Sequence, residues 1–195
     1  MTKKEEWLAG TRSAVPIMLG YVPVGIAYGV MARQAGLNTW QTVLMSLTVY
    51  GGASEMMAAG MVAQGAAVLT IVLTTFILNL RHIIMSTCVF NQMQGGRLPV
   101  RMLAAFGVTD ETFAVYTTTA NAPRTPRYFF SMAFCSYLSW ALGSWLGAIA
   151  TGLLPPLITA ALGISLYAMF IGLLMPGLHG NGRLAALVVL TALCN

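Results

Sequence analysis

Apolar runs long enough to cross a membrane follow one another from residue 13 to the end of this chain, separated only by short polar stretches. No soluble core could hide that much apolar surface in 195 residues, of which 57% are hydrophobic and only 8% charged, against roughly 25% charged in an ordinary soluble domain. Backbone facing lipid must satisfy its own hydrogen bonds, and nothing here alternates as a barrel strand would, so the spanning elements are helices. The fold class expected is all-α: a polytopic transmembrane helical bundle of about six to seven spans, with helices broken by glycine and proline.

The runs predict spans over 13–31, 40–62, 66–90, 102–118, 128–150 and 157–177, with a last run over 184–195. The loops "QAGLN" (34–38), "NQMQGGRLPVR" (91–101), "NAPRTPR" (121–127), "LLPP" (153–156) and "PGLHGNGR" (176–183) separate them with turn-forming residues. The last run is short of the roughly 20 residues a crossing needs, so residues 1–195 are expected to form one transmembrane domain that stops within its last helix. Lys3 and Lys4 before an apolar run resemble a signal peptide, but Pro16, Gly20 and Pro23 interrupt that run and mark it as a first mature helix. Cys88, Cys135 and Cys194 are odd in number and lack metal-like spacing, which reads as packing. The net charge of +5 encodes orientation rather than nucleic-acid binding. With seven crossings and the N-terminus in the cytoplasm, Lys3, Lys4, Arg12, Arg124, Arg127 and Arg183 fall inside and Arg33, Arg97 and Arg101 outside, a bias of six to three. If 40–62 re-enters instead of crossing, everything after it inverts.

Four stretches stand out in fixed order: "GYVPVGIAYGVMARQAGL" (20–37), "SLTVYGGASEMMAAGMVAQGA" (46–66), "NLRHIIMS" (79–86) and "FGVTDETFAVY" (106–116). Together they resemble the AzlC family of bacterial inner-membrane proteins, and the resemblance covers most of the chain. It implies a multi-pass inner-membrane transporter domain, the large subunit of a branched-chain amino acid exporter. It also implies a small membrane-protein partner (AzlD-like). The family usually carries glutamine where this chain has Glu55, so polar recognition at that position transfers while a role for its charge does not.

The residues support a compatible reading. Tyr21 and Pro23 sit in a first helix that Pro23 should kink near Leu19–Tyr21, and Gly25 and Gly29 form a small-xxx-small pair for close helix packing. Such residues line transporter sites, and they equally serve plain packing. Ser46, Tyr50 and Ser54 recur every four residues with Glu55 beside them, while Gly51 and Gly52 loosen the helix. Glu55 must face the bundle interior, since a carboxylate in lipid costs several kcal/mol. Arg81 suits a carboxylate, either of an amino acid substrate or of an internal acid, and Asn79 and His82 extend that face. The alternative for Arg81 is a snorkelling or purely structural ion pair. Asp110 and Glu111 are candidates for proton coupling, with one of them the counter-ion of Arg81. If a helix starts near Thr109, they are instead first-turn acids favoured by its dipole.

The candidate substrate site is therefore Tyr21, Pro23, Tyr50, Ser54, Glu55, Asn79, Arg81 and His82, for a small neutral, valine-like amino acid. No GxxxxGK[ST] signature occurs, so no ATP hydrolysis, cofactor or metal is expected. Two rival readings remain. One is a scaffold whose partner transports, docked through an exposed Gly143–Gly147 face; the other is an intramembrane hydrolase with Ser54 as nucleophile and His82 or His179 as base. Trp7, Trp40 and Tyr128 read as interfacial anchors.

Overall fold

The structure, a computed structural model, describes residues 2–120 and 122–153 and the isolated positions 155, 157, 161, 164, 171, 182, 186 and 190. The expected spans 157–177 and 184–195 lie outside the described residues apart from those isolated positions, as do His179, Arg183 and Cys194. Among the described residues the chain forms eight helices: α1 (Lys3–Gln34), α2 (Thr39–Thr48), α3 (Gly52–Ala63), α4 (Val68–Asn79), α5 (Arg81–Gln92), α6 (Leu98–Phe106), α7 (Asp110–Thr118) and α8 (Pro126–Ala150). This is a polytopic transmembrane helical bundle. Three rods are long and apolar enough to cross a bilayer: α1, α8, and α4 with α5, which run on through Leu80 in a right-handed helical conformation.

Helix α1 starts at Lys3 rather than near Ser13 because Thr2 and Glu5 form a capping box, each side chain bonding the other's backbone N–H. Pro16 and Pro23 lie within it, and it stays continuous to Gln34. Its neighbour over most of this length is α8. Ser131 Oγ donates to the Trp7 carbonyl at 2.6 Å near both helix starts, the rings of Tyr21 and Trp140 meet at 5.4 Å midway, and Gly29 lies against Ser144 and Ala148 further along. Residue numbers rise together, so the two helices are parallel. Glycines make the approach possible. A Cβ on Gly25 would stand 3.0 Å from the Trp140 carbonyl oxygen, and one on Gly143 would stand 2.7 Å from that of Val22. The Gly143–Gly147 face, expected to be free for a partner, is thus filled by α1. Tyr128, expected at the interface, is buried and donates to Ser13 Oγ at 2.8 Å, because the parallel pairing brings the start of α8 into the core.

The segments 40–62 and 102–118, expected to cross, instead enter and return. Helix α6 begins beside Pro126, where Gly96 packs, and ends with Phe106 against Tyr137. Helix α7 then runs back, Tyr116 reaching Tyr128 and Phe129, and the Gln94 N–H donates to the Arg124 carbonyl at 2.6 Å. Both open ends of this hairpin therefore lie at the start of α8. Helix α2 descends from the opposite side: Tyr28 donates to the Thr42 carbonyl, Ser46 meets Ser144, and Tyr50 reaches Tyr137. Helix α3 returns along α4, with Ser54, Glu55 and Ala58 sharing a cavity with Ile71, Thr75 and Asn79. At 10 and 12 residues, and at about 1.5 Å per residue, these arms span half a membrane each. The result is two helical hairpins entering from opposite faces, each following a spanning rod, with tips at Val49–Gly51 and Gly107–Thr109. This matches the inverted-repeat logic of many transporters.

Re-entry of both hairpins also relocates charge. Arg97 and Arg101, expected opposite the N-terminus, lie on its side: Arg101 donates to the Met93 carbonyl, and Gly96 packs on Pro126. Lys3, Lys4, Arg12, Arg97, Arg101, Arg124 and Arg127 now share one side, and Arg33 stands on the other. The inversion that follows from re-entry of 40–62 holds for α4, α5 and the 91–101 loop, and the second re-entrant segment restores the expected direction from 121 onward. Trp7 and Trp40 remain exposed near helix starts, as anchors require.

Candidate functional site

The hairpin tips meet halfway along α1. Tyr50, just past α2, has φ 48°, a left-handed conformation that costs a residue with a Cβ about 1–2 kcal/mol. This is the position where a helix usually ends in glycine. Here the glycine follows instead, and a buried aromatic takes the strained place. The regular spacing of Ser46, Tyr50 and Ser54 therefore does not make one stripe, because the helix ends between them. Gly51, the N-cap of helix α3, gives no side-chain cap hydrogen bond, and Gly51, Gly52 and Ala53 at this uncapped start line a small cavity.

That cavity, about 20 Å³, is lined by the α3 start, Tyr21, Tyr50, Arg81, His82, Thr109, Asp110, Glu111 and Trp140. It has room for about one water molecule. Arg81 Nη2 stands 2.9 Å from Asp110 Oδ2, so the expected counter-ion is Asp110. The alternative for Asp110 and Glu111 also holds, since both lie in the first turn of α7, capped by Thr109. The hairpin puts that first turn at mid-depth, so dipole-favoured acids and site acids are the same residues. Glu111 is buried and accepts from Tyr21 Oη at 2.6 Å, and Tyr21 Oη also lies 2.7 Å from Thr109 Oγ1. His82 Nδ1 is 3.1 Å from the Asn79 carbonyl. Tyr50 is buried, 4% exposed, and its ring meets that of Tyr21 edge-on at 6.4 Å.

Glu55 lies one layer behind, fully buried. Its Oε1 accepts from the Gly51 N–H at 2.9 Å and from Trp140 Nε1 at 3.2 Å, and its Oε2 lies 3.0 Å from Ser46 Oγ. Ser46 Oγ is 2.7 Å from Ser144 Oγ, which can donate to the Trp140 carbonyl. Glu55 thus ties the tip of the first hairpin to α8 and shapes the α3 start from behind. Ser54 donates to the Gly51 carbonyl at 2.8 Å and is also fully buried. Asn79 lines the neighbouring cavity between α3 and α4, where its Oδ1 is buried without a partner among the described residues. Pro23 lies on α1 and lines neither cavity.

Of the sequence candidates, Tyr21, Tyr50, Arg81, His82, Asp110 and Glu111 converge on one cavity, with Glu55 and Ser54 supporting it. Thr109 and Trp140 were not foreseen as site residues. Thr109 carried a readable signal as the cap of a helix beginning at Asp110, whereas Trp140 is one aromatic in a long apolar run. A second, apolar cavity of about 290 Å³ lies between α6 and α8, lined by Tyr50, Leu103, Phe106, Phe130, Phe134 and Tyr137 among others.

The AzlC protein family profile matches residues 16–154. An uncharacterized membrane protein of Archaeoglobus fulgidus is 32% identical over 188 residues, covering 95% of this chain and 82% of that protein. The inner membrane protein YgaZ of Escherichia coli is 31% identical over 179 residues, 87% of this chain and 72% of its own length. The branched-chain amino acid transport protein AzlC of Bacillus subtilis is 27% identical over 157 residues, 76% of this chain and 61% of its own length. No solved structure matches. The four linked stretches, the broken helices they build and the profile over most of the chain agree: this membrane protein belongs to the AzlC family.

Proposed function

We propose that this chain is the large subunit of a secondary transporter that exports small neutral amino acids, branched-chain ones such as valine among them, across the cell membrane, the inner membrane of a bacterium. The observation that carries the reading is the mid-depth cavity. The uncapped N–H groups of Gly52 and Ala53, with Arg81 beside them, suit a carboxylate, while Asp110 and Glu111 on the facing helix suit an ammonium. A zwitterion needs both within a few ångströms, in a place closed to water. The name of the Bacillus subtilis relative supports the substrate class. Asp110 and Glu111 are also the groups through which a proton could be coupled. The N-terminus and the 121–127 loop face the cytoplasm, in keeping with the basic residues gathered on their side.

A small membrane-protein partner (AzlD-like) completes the assembly in this reading, docked elsewhere than on Gly143–Gly147. The hydrolase alternative gains no support from the geometry. Ser54 donates to the Gly51 carbonyl away from the polar cavity, and the His82 ring is turned to Asn79. Valine-loaded proteoliposomes holding the purified protein, with and without the partner, test the proposal: valine efflux above protein-free vesicles is expected. Efflux that requires the partner but survives Arg81→Ala would turn the chain into a scaffold, and none under either condition would sink the reading.

A further inference from the structure

The polar cavity has room for a zwitterionic head only after something moves, and it offers no room at all for an isopropyl or isobutyl group. The space of matching chemistry lies next to it. The apolar cavity of about 290 Å³ between α6 and α8 is walled by aliphatic and aromatic side chains, a volume at the lower end of small-molecule sites, which run from about 300 Å³. Among the described residues, Tyr50 is the one residue that lines both cavities. Its ring packs edge-on against Tyr137 at 5.0 Å and beside Phe106 at 5.9 Å, so it closes the apolar cavity at the end nearer Arg81.

We propose that the apolar cavity is the side-chain subsite for the transported amino acid and that Tyr50 is the movable partition between head-group and side-chain compartments, hence a residue that determines specificity. The inference rests on the transport reading above and deepens it. Two features fit a partition better than a fixed wall. The backbone of Tyr50 is in a left-handed conformation, and the two glycines after it leave the tip free to turn. With the ring swung aside, a branched aliphatic group can occupy the vacated place and the cavity beyond. A polar side chain finds no partner there, and an aromatic ring must compete with the displaced Tyr50 ring for the space beside Phe106 and Tyr137.

The test is ligand-induced thermal stabilisation of the purified full chain in detergent by alanine, valine, leucine and phenylalanine. It needs no partner subunit, since any ligand bound by the folded state alone raises its melting temperature. For the wild type, valine and leucine are expected to bind more tightly than phenylalanine or alanine. Tyr50→Gly removes the partition and suits the left-handed backbone, so it should narrow the preference for valine over phenylalanine by about tenfold or more, the scale on which apolar pockets sort substrates. Phe134→Ala widens the apolar cavity without touching the polar one and should shift preference towards leucine and phenylalanine in the same sense. If no amino acid stabilises the wild type, the transport reading itself fails. If valine binds but Phe134→Ala leaves the ranking as it was, the partition proposal is wrong, whether or not Tyr50→Gly folds.

Discussion

Glu55 shows how one buried side chain can serve two chemistries. Its Oε1 receives two N–H donors, from Gly51 and Trp140, which an amide oxygen accepts equally well. The other oxygen faces Ser46, whose hydroxyl can donate onward to Ser144 and so accept from an amide N–H. Glu55→Gln is therefore expected to fold within about 1 kcal/mol of wild type and to keep most valine efflux; complete loss in a well-expressed mutant would show that the charge itself is needed. Glu55→Leu strands buried donors at about 1–3 kcal/mol each and should lower the melting temperature sharply. Arg81 is expected to behave otherwise. Arg81→Lys keeps the charge but loses the planar fork that faces Asp110, so efflux should fall by roughly tenfold to a hundredfold, the loss of one bond to a charged group, while membrane insertion survives. The pairing of Arg81 with an acid in "TDE" was legible, because intramembrane charges seek each other. Trp140 was not, since only the fold reveals that its indole faces a carboxylate.

Among the elements, the α1–α8 pair and the two hairpins have opposite demands. The pair needs close backbone contact along its whole length, and glycine supplies it. Gly147→Leu drives a side chain into the backbone of Ile26 and should destabilise the detergent-solubilised protein by about 1–3 kcal/mol or more. Gly60→Ala, in open space on α3, should be neutral or stabilise by up to about 1 kcal/mol; equal melting shifts for the two variants would contradict the packing described. The small residues of α1 and α8 were readable as packing residues, though not which helices they join. The breaks were partly readable too, since Gly51–Gly52 announces one. Re-entry of 40–62 stood only as an alternative, because the segment has the length and hydropathy of a full crossing and its contacts with α4 and α8 are what show the return; re-entry of 102–118 was not foreseen.

For the whole molecule, the two hairpins determine sidedness. Gln94 and Thr125 flank the α6–α7 hairpin and touch through their neighbours, whereas Gln64 lies beyond the open end of α2–α3 on the other face. In a chain with its three native cysteines replaced by alanine, Gln94→Cys and Thr125→Cys are expected to react with an impermeant maleimide only after the cytoplasmic side is opened. Gln64→Cys should react in intact cells. Opposite labelling of positions 94 and 125 would make 102–118 a crossing and would undo the hairpin. Sequence reasoning put the N-terminus and 121–127 on one side through a different count of crossings, because an even number of misread segments leaves the later helices in the same direction.

Ser46 and Ser144 are separated by 98 residues, which a ribosome takes about 5–20 s to traverse. Throughout that interval the first hairpin exists without α8, so Glu55 lacks the Trp140 indole and Ser46 lacks the Ser144 hydroxyl. Lipid cannot satisfy those groups. The hairpin must therefore wait at the membrane surface or within the insertion machinery until α8 arrives beside α1. Completion of the core is thus tied to the last of the described helices to be made, and a nascent chain halted before Pro126 has two of its three spanning rods and no assembled cavity.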